Sequence, residues 1–415
     1  MTGWPLTAIG EVARINPPKP KYQELRDEDP VGFVPMAAVD ETSGEISGVE
    51  ERPLGALRAK SYRTFAPGDV LFAKITPCME NGKSAVVPEL PNGHGFGSTE
   101  FHVLRPGPAV DARYLWNFVR QKSYRTEAEA HMTGSVGQAR VPAGFLRDTE
   151  IPLPSLDEQL RIVEHLRLVN HHAKAAAGRL AAARRIIEGA TRSLYSSAST
   201  GRLTEDWRRA HTEGPDADLP AGWEQVRVKD ITECLDRMRK PVNNTERAKR
   251  PGSVPYYGAN GQVGWIDEAL FDEPLVLVVE DETFTGRTKP FSYLITGPSW
   301  VNNHAHVLRP KNGITPAALN ILLSFYDFIP LTSGSTGRRK LTQKSLMDAR
   351  LALPPPAEQE EIARRVDEAL TSMTRVTEHL DHVNRTLNRT AQAAATRAFQ
   401  GAPIPSPEDG QRGQA

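Results

Sequence analysis

Arg237, Arg239, Lys240, Arg247, Lys249 and Arg250 crowd around Asn243 and Asn244, and Glu246 is the acid that opposes them. A second basic run, Arg338-Arg339-Lys340, follows the turn Gly334-Ser335-Thr336-Gly337. Lys60, Arg63, Lys74, Asn81 and Lys83 are spread through the first third of the chain, and Arg287 sits beyond a turn that carries Tyr257 and Asn260. Lysine and arginine neutralise phosphates, while asparagine and arginine hydrogen-bond to base edges in the major groove. Glycine-rich turns, here at 134–137 and 334–337, can offer backbone amides to an anion. These types in these groups point to contacts with a nucleic-acid duplex. The plainer alternatives are solvated charged faces and ordinary β-turns, so no single cluster decides the matter.

Catalytic constellations are missing from the sequence. Asn16-Pro17-Pro18-Lys19 approaches the Asn-Pro-Pro-aromatic motif of amino-group methylation. Lys19 stands where the stacking aromatic belongs, however, and no glycine-rich cofactor loop follows a strand nearby, which predicts a plain loop. No Gly-x-x-x-x-Gly-Lys-Ser/Thr loop occurs, so no nucleotide-driven motor is encoded. Glu280-Asp281-Glu282 reads as a solvated acidic turn before it reads as a metal site. Two cysteines, Cys78 and Cys234, lie far apart without histidine pairs, so neither zinc nor a disulfide framework is expected. With 51 basic and 51 acidic residues the formal net charge is zero, and any anion-binding surface must be local. Met1–Gly10 has no signal-peptide pattern and no stretch is apolar enough for a membrane span, so a cytoplasmic protein is expected.

The elements that must position these groups are announced by repetition. His102-Val103-Leu104-Arg105-Pro106 recurs as His306-Val307-Leu308-Arg309-Pro310, and Gly82-Lys83 is matched by Gly286-Arg287 at the same distance from it. Gly134-Ser135-Val136-Gly137 is matched by Gly334-Ser335-Thr336-Gly337. An ordered series of this kind implies two copies of one scaffold with different loops. Strand-like runs at Val31–Met36, Asp69–Lys74, Ser84–Val87 and Phe101–Leu104 have counterparts at Leu275–Val279, Phe291–Ile295 and His304–Leu308. Helices are expected at Ala112–Gln121 and Pro316–Phe328. The fold class is therefore mixed α/β in two lobes, residues 1–154 and 222–353.

Each lobe is followed by a long helix, over 155–198 and 354–400. Ile162, Leu166, Val169, Leu180, Ile187 and Leu194 fall on one seam in steps of four and three, with alanines between. Ile362, Val366, Met373, Val376, Leu380, Val383 and Leu387 repeat it in phase. The chain thus carries its own coiled-coil partner. Each helix would span roughly 60 Å, whereas a compact lobe has a radius of gyration of about 14 Å. The second lobe begins where helix one ends and finishes where helix two begins, so antiparallel packing is expected, with a pseudo-two-fold repeat. Residues 199–221 read as a polar linker and 401–415 as a disordered tail.

Together these features resemble the specificity subunit of type I restriction–modification systems, over nearly the whole chain. The resemblance rests on Ile75-Thr76-Pro77-Cys78-Met79-Glu80-Asn81-Gly82-Lys83, on Val254-Pro255-Tyr256-Tyr257-Gly258-Ala259-Asn260-Gly261 and on Gly334-Ser335-Thr336-Gly337. The paired helix entrances Leu153-Pro154…Glu158-Gln159 and Leu353-Pro354…Glu358-Gln359 carry it further, as do Gly201-Arg202-Leu203-Thr204 and Trp207. It implies two target-recognition domains that read the halves of a bipartite, asymmetric site in double-stranded DNA, spaced by the coiled coil. It implies no catalysis and no cofactor in this chain. Two modification (methyltransferase) subunits would bring S-adenosylmethionine, and restriction subunits would bring ATP, Mg and the nuclease. A stand-alone DNA methyltransferase and a scaffold that binds no DNA are the competing readings.

Overall fold

The computed structural model describes residues 3–135, 137–212, 218–282, 284–335 and 338–404, with the backbone alone for Glu282, Ser335 and Arg338. The proposed tail is therefore described only as far as residue 404. Two compact units divide the chain: Met1–Gly178 with Val383–Ala415, and Arg179–His382.

The first unit contains β1 (Leu6–Ala8), β2 (Ala13–Ile15), β3 (Pro30–Val34), β4 (Glu50–Pro53), β5 (Arg63–Phe65), β6 (Val70–Ala73), β7 (Ser84–Val86), β8 (Gly95–Gly97), β9 (Phe101–Pro106) and β10 (Glu150–Pro152). One sheet has the order β2-β9-β6-β7, and a second has β4-β3-β8-β5 with β3 and β8 parallel. The strong runs expected from sequence are β3, β6, β7 and β9. The weak strands were illegible because they are short, and β8 is Gly95-Phe96-Gly97, a composition that argues against a strand. Close packing requires those glycines. A Cβ on Gly95 would come within 2.2 Å of the Phe65 ring, and one on Gly97 within 2.6 Å of the Val34 carbonyl oxygen.

The second unit repeats the plan with β11 (Glu224–Arg227), β12 (Thr232–Cys234), β13 (Val254–Gly258), β14 (Gly261–Ile266), β15 (Phe271–Asp272), β16 (Leu275–Val279), β17 (Asp281–Glu282), β18 (Ser292–Ile295), β19 (Pro298–Val301), β20 (Ala305–Pro310), β21 (Thr332–Ser335), β22 (Arg338–Leu341) and β23 (Arg350–Leu353). Its sheets run β12-β20-β16-β18 and β14-β13-β19-β15, again with one parallel pair, β13–β19. The repeated pentapeptide supplies β9 and β20, where Val103, Leu104, Val307 and Leu308 are buried in the cores. The short helices Ala112–Arg120 and Pro316–Ser324 pack nearby, capped by Asp111 and Thr315. A further helix, Lys122–Ala130, was not anticipated.

The long helices span Leu156–Ser199 and Pro356–Phe399. In the first unit Ile162, Val163 and Leu166, near the start of one, join a core with Ala395, Ala398 and Phe399 at the end of the other. In the second unit Tyr195 and Ala198 meet Ile362 and Val366. Within each unit the two segments therefore run antiparallel. Every expected seam position of the first helix is covered at least in part, from Ile162 through Val169, Leu180 and Ile187 to Leu194. The second helix departs from the expected seam. Ile362, Val366, Met373, Leu380 and Leu387 are covered, but Val376 and Val383 are 50% and 37% exposed. Thr377 and Asn384 take their places. A helix of 3.6 residues per turn drifts against a strict seven-residue repeat, and two steps of four (Ala369, Met373, Thr377) move the seam on by one position. Thr191 lies at 3.4 Å from the Met373 sulfur, and Arg184 pairs with Asp381 across the helices.

Both helices start on the same lock. Gln159 and Gln359 are fully buried. The Gln159 Oε1 accepts from the Asp111 N–H at 2.8 Å, and its Nε2 donates to the Ala109 and Pro154 carbonyls at 3.0 and 2.9 Å. Gln359 repeats this with the Thr315 N–H and the Gly313 and Pro354 carbonyls, at 2.9, 3.2 and 3.0 Å. Replacing either glutamine with alanine leaves the buried Pro154 or Pro354 carbonyl and a half-buried N–H unpaired, an expected loss of about 1–3 kcal/mol. Glu158→Ala removes only an exposed pair with Arg161 and should cost under about 1 kcal/mol. Urea unfolding midpoints of the three variants check the ranking.

The expected linker is more ordered than its composition suggested. Residues 205–211 form a helix, and Arg208 is buried against Glu358 at 2.7 Å. Residues 213–217 lie outside the described part.

Candidate nucleic-acid interface

One buried histidine in each lobe ties the glycine-rich hairpin to its sheet. His102, on β9, contacts the Val141 carbonyl through Nε2 at 2.8 Å and accepts from Asn16 Nδ2 at Nδ1 at 2.9 Å. The other amide atom of Asn16 accepts from the Val103 N–H at 3.1 Å. Asn16 adopts a positive φ of 50°, which asparagine tolerates. The Asn-Pro-Pro segment is thus a loop whose asparagine is used inside the lobe. His306, on β20, meets the Leu341 carbonyl at 2.8 Å and Asp236 at 2.5 Å, and Asp236 also accepts from the Val307 N–H at 2.9 Å. One lobe therefore has a neutral amide where the other has a carboxylate. Burial lowers His102 to about 4. Burial alone would raise the Asp236 carboxyl, but the His306 hydrogen bond and charge outweigh it and hold it below its ordinary value.

The hairpin roots carry further charge. In the first lobe Thr133 and Ile75 bridge to Arg140, and Arg140 forks onto Glu100 at 2.9 and 3.0 Å, with Lys74 4.0 Å from the same carboxylate. In the second, β17-β22-β21 forms a small sheet. Glu280 accepts there from Arg239 at 2.6 Å and from Lys340 at 3.0 Å, and His304 contacts Asp281 at 2.7 Å. The run Glu280-Asp281 is accordingly no bare acidic turn. Cys234, Asp236 and His306 bring three ligand-type atoms within 4.8 Å of one another. Both histidine nitrogens are already hydrogen-bonded, burial pushes the Cys234 thiol up to about 12, and the Arg239 guanidinium lies 3.3 Å from Asp236. The arrangement is satisfied from within.

Several cations expected at the surface are turned inward. Arg239 is 12% exposed and donates to Glu280 and, at 2.7 Å, to the Ala305 carbonyl. Arg339 donates to the Thr332 hydroxyl at 2.7 Å. Lys83 donates to the Val39 carbonyl at 3.1 Å, holding the connection between β3 and β4. Arg287 holds the corresponding β13–β14 turn through Asn260 at 2.8 Å, so the aligned Gly82-Lys83 and Gly286-Arg287 share a role. For these side chains intramolecular acceptors win over solvent, and they are structural in the lobe.

The remaining candidates divide. Asn81 donates to Glu41, Asn243 caps the Glu246 N–H and Asn244 accepts from Arg247. Tyr257 is half-buried near Tyr293. Lys60 lies 5.9 Å over the Tyr62 ring. Lys340 is 58% exposed despite its ion pair. Arg237 and Lys240 are exposed, and neither they nor Arg63 has a side-chain hydrogen bond or ion pair among the described residues. The Arg338 side chain lies outside those residues, as do Val136, Thr336 and Gly337.

A cleft of about 360 Å³ in the second lobe is lined by Asn243, Tyr256, Asn302, Asn303 and His304 among others. Asn303 is exposed with its amide uncommitted among the described residues. Sequence reasoning missed this turn, as it missed Glu100 and Arg140. The available signal was the Asn-Asn pair placed just ahead of the repeated His-Val-Leu-Arg-Pro strand.

The family description "Type I restriction modification DNA specificity domain" matches residues 1–173 and 220–382, the two copies just described. The chain belongs to that family. Among curated members, the EcoAI specificity subunit of Escherichia coli is 35% identical over 50% of this chain and 35% of its own length. The EcoEI specificity subunit of the same species is 34% identical over 50% and 35%. This chain therefore spans about a third of the length of those relatives. Two solved structures share the fold. One, from work on complex assembly and conformational transition of the type I R-M system, gives a TM-score of 0.69 at 22% identity over 97% of this chain and 98% of that one. The HsdS subunit from Thermoanaerobacter tengcongensis gives 0.53 at 22% identity over 97% of both chains. As a member of the specificity-domain family, the chain has both of its domains built on the histidine-pinned hairpin and the glutamine-locked helix. No helix among its described residues is long and apolar enough to cross a membrane.

Proposed function

We propose that this chain is the DNA-specificity subunit of a type I restriction–modification complex in the cytoplasm. One scaffold occurs twice, and the side chains at matched hairpin roots differ in charge. Two copies of a reader with different contact residues suit a bipartite, asymmetric duplex site, one half-site per lobe. Lys60, Arg63, Arg237 and Lys240 are the phosphate contacts, and Asn303 with the Asn243 cleft supplies base-edge contacts in the second lobe. A good bidentate contact discriminates by about 1–3 kcal/mol.

The chain itself performs no chemistry in this reading, and the internal use of the Asn16 amide fits that. Two modification subunits supply S-adenosylmethionine, and restriction subunits supply ATP and Mg. Exchanging residues 222–353 for the second lobe of another family member should change one half of the methylated site and leave the other intact. Sequencing of methylated bases in cells carrying the exchange reads the outcome. A change in both halves, or in neither, would overturn the assignment.

A further inference from the structure

The first lobe collects cations where its repeat does not. Lys74 follows β6 and Glu280 follows β16, since Ala73 pairs with Phe101 as Val279 pairs with Ala305. That register also matches Glu100 with His304. The bridges Ile75–Arg140 and Asp281–Lys340 match Arg140 with Lys340. Phe65 pairs with Gly95 as Phe271 pairs with Ser299, which matches Arg63 with Ala269. The first quartet is thus Arg63, Lys74, Arg140 and Glu100, three cations around one carboxylate. Its counterpart is Ala269, Glu280, Lys340 and His304, in which Lys340 faces Glu280, a carboxylate that also takes Arg239 at 2.6 Å from outside the matched positions.

We infer that Arg63, Lys74 and Arg140 form a binding site for a backbone phosphate in the first lobe, with no equivalent in the second. The inference rests on the DNA-reading assignment and deepens it. Glu100 is already forked by Arg140, and Lys74 lies at the limit of ion pairing with it, at 4.0 Å. Arg63 is near enough to act electrostatically on both Lys74 and Glu100, yet its side chain makes no hydrogen bond or ion pair among the described residues. Lys74 is only 16% exposed, and burial, joined by repulsion from Arg63 and Arg140, lowers its pKa against the opposing pull of Glu100. Cations in such surroundings gain more from an incoming anion than solvated ones do. A phosphodiester oxygen would relieve the repulsion and exchange counterions for a fixed partner. At these matched positions the lobes then differ: the first adds a phosphate contact, while the second is balanced internally and has its phosphate contacts elsewhere, at Arg237 and Lys240.

The test is the salt dependence of duplex binding by the full chain with its modification subunits, using one fluorescent duplex of mixed sequence and one carrying a methylated site. Arg63→Ala and Lys74→Met should each make the slope of log K against log[KCl] shallower by about 1. Raising KCl fourfold then weakens a variant about fourfold less than the unaltered protein, equally on both duplexes. Glu100→Gln should act in the opposite sense, with tighter binding and a steeper slope. Lys340→Ala should change the slope by well under 1. Slopes unchanged in the Arg63 and Lys74 variants, or a Glu100 variant that binds more weakly, overturn the phosphate site while the DNA-reading assignment stands. No salt-dependent binding by the unaltered complex overturns both.

Discussion

Acidification from pH 7 to pH 4 should weaken the first unit by about 3 kcal/mol, and His102→Gln should remove most of that loss. A histidine in the unfolded chain takes its proton near 6.5, but burial holds folded His102 near about 4. Between those values the unfolded state binds the extra proton, so stability falls as pH falls through 6.5 and levels off below 4. The Val141 carbonyl opposes the shift and the Lys74 and Arg63 charges assist it. Glutamine keeps a neutral donor and acceptor at the same place without the titration. The second unit should behave differently. The Asp236 and Glu280 carboxyls lie below their ordinary values. Their contribution is complete above the normal carboxylate range and is lost only as pH falls through the depressed folded values. Hydrogen-exchange mass spectrometry between pH 7 and 4 separates the units. Protection of the β6–β9 sheet that stays flat over that range, or a His102→Gln protein that still loses it, would refute the linkage.

Glu358→Ala should be the most damaging single truncation in the second unit, at about 3–5 kcal/mol. The carboxylate is fully buried. It accepts from Arg208 at 2.7 Å, the Thr204 hydroxyl at 2.6 Å and the Trp223 indole N–H at 2.8 Å. Removing it takes the carboxylate from a guanidinium that is itself 5% exposed and leaves it the Gly201 carbonyl, at 3.0 Å. For a unit of about 200 residues this corresponds to a fall in Tm of roughly 10 °C. Replacing Glu358 and Arg208 together with methionines should recover much of the loss, because a buried ion pair gains little over apolar contacts of similar volume. Calorimetry of the single and double variants decides. A single variant that melts within 2–3 °C of the parent would mean that water reaches the site. The same network explains why Gly201-Arg202-Leu203-Thr204 and Trp223 flank a segment with the composition of a linker: they clamp it to the start of the second long helix.

The site was partly legible in advance. Arg63 and Lys74 were recognisable as candidates, and the aligned Gly82-Lys83 and Gly286-Arg287 did mark equivalent places. Their shared task, holding a strand connection, depends on carbonyl and amide groups distant in sequence, at Val39 and Asn260. Arg239 belongs to the most basic run in the chain and still points inward, because Glu280 and Ala305 offer it acceptors in the core. Conversely, Glu100 and Arg140 belong to no charge run, and strand pairing alone brings them beside Lys74.

Sequence alone determined the duplication, the two lobes, the long helices and most of the seam, because repeats and helical periodicity are local and survive without coordinates. Tertiary structure alone decided which of the cations are free. A lysine or arginine goes to whichever acceptor the fold brings within reach, and such acceptors are mostly backbone carbonyls and carboxylates far along the chain. It also decided where the seam of the second helix drifts past Val376 and Val383, since 3.6 residues per turn and a seven-residue repeat agree only over short lengths.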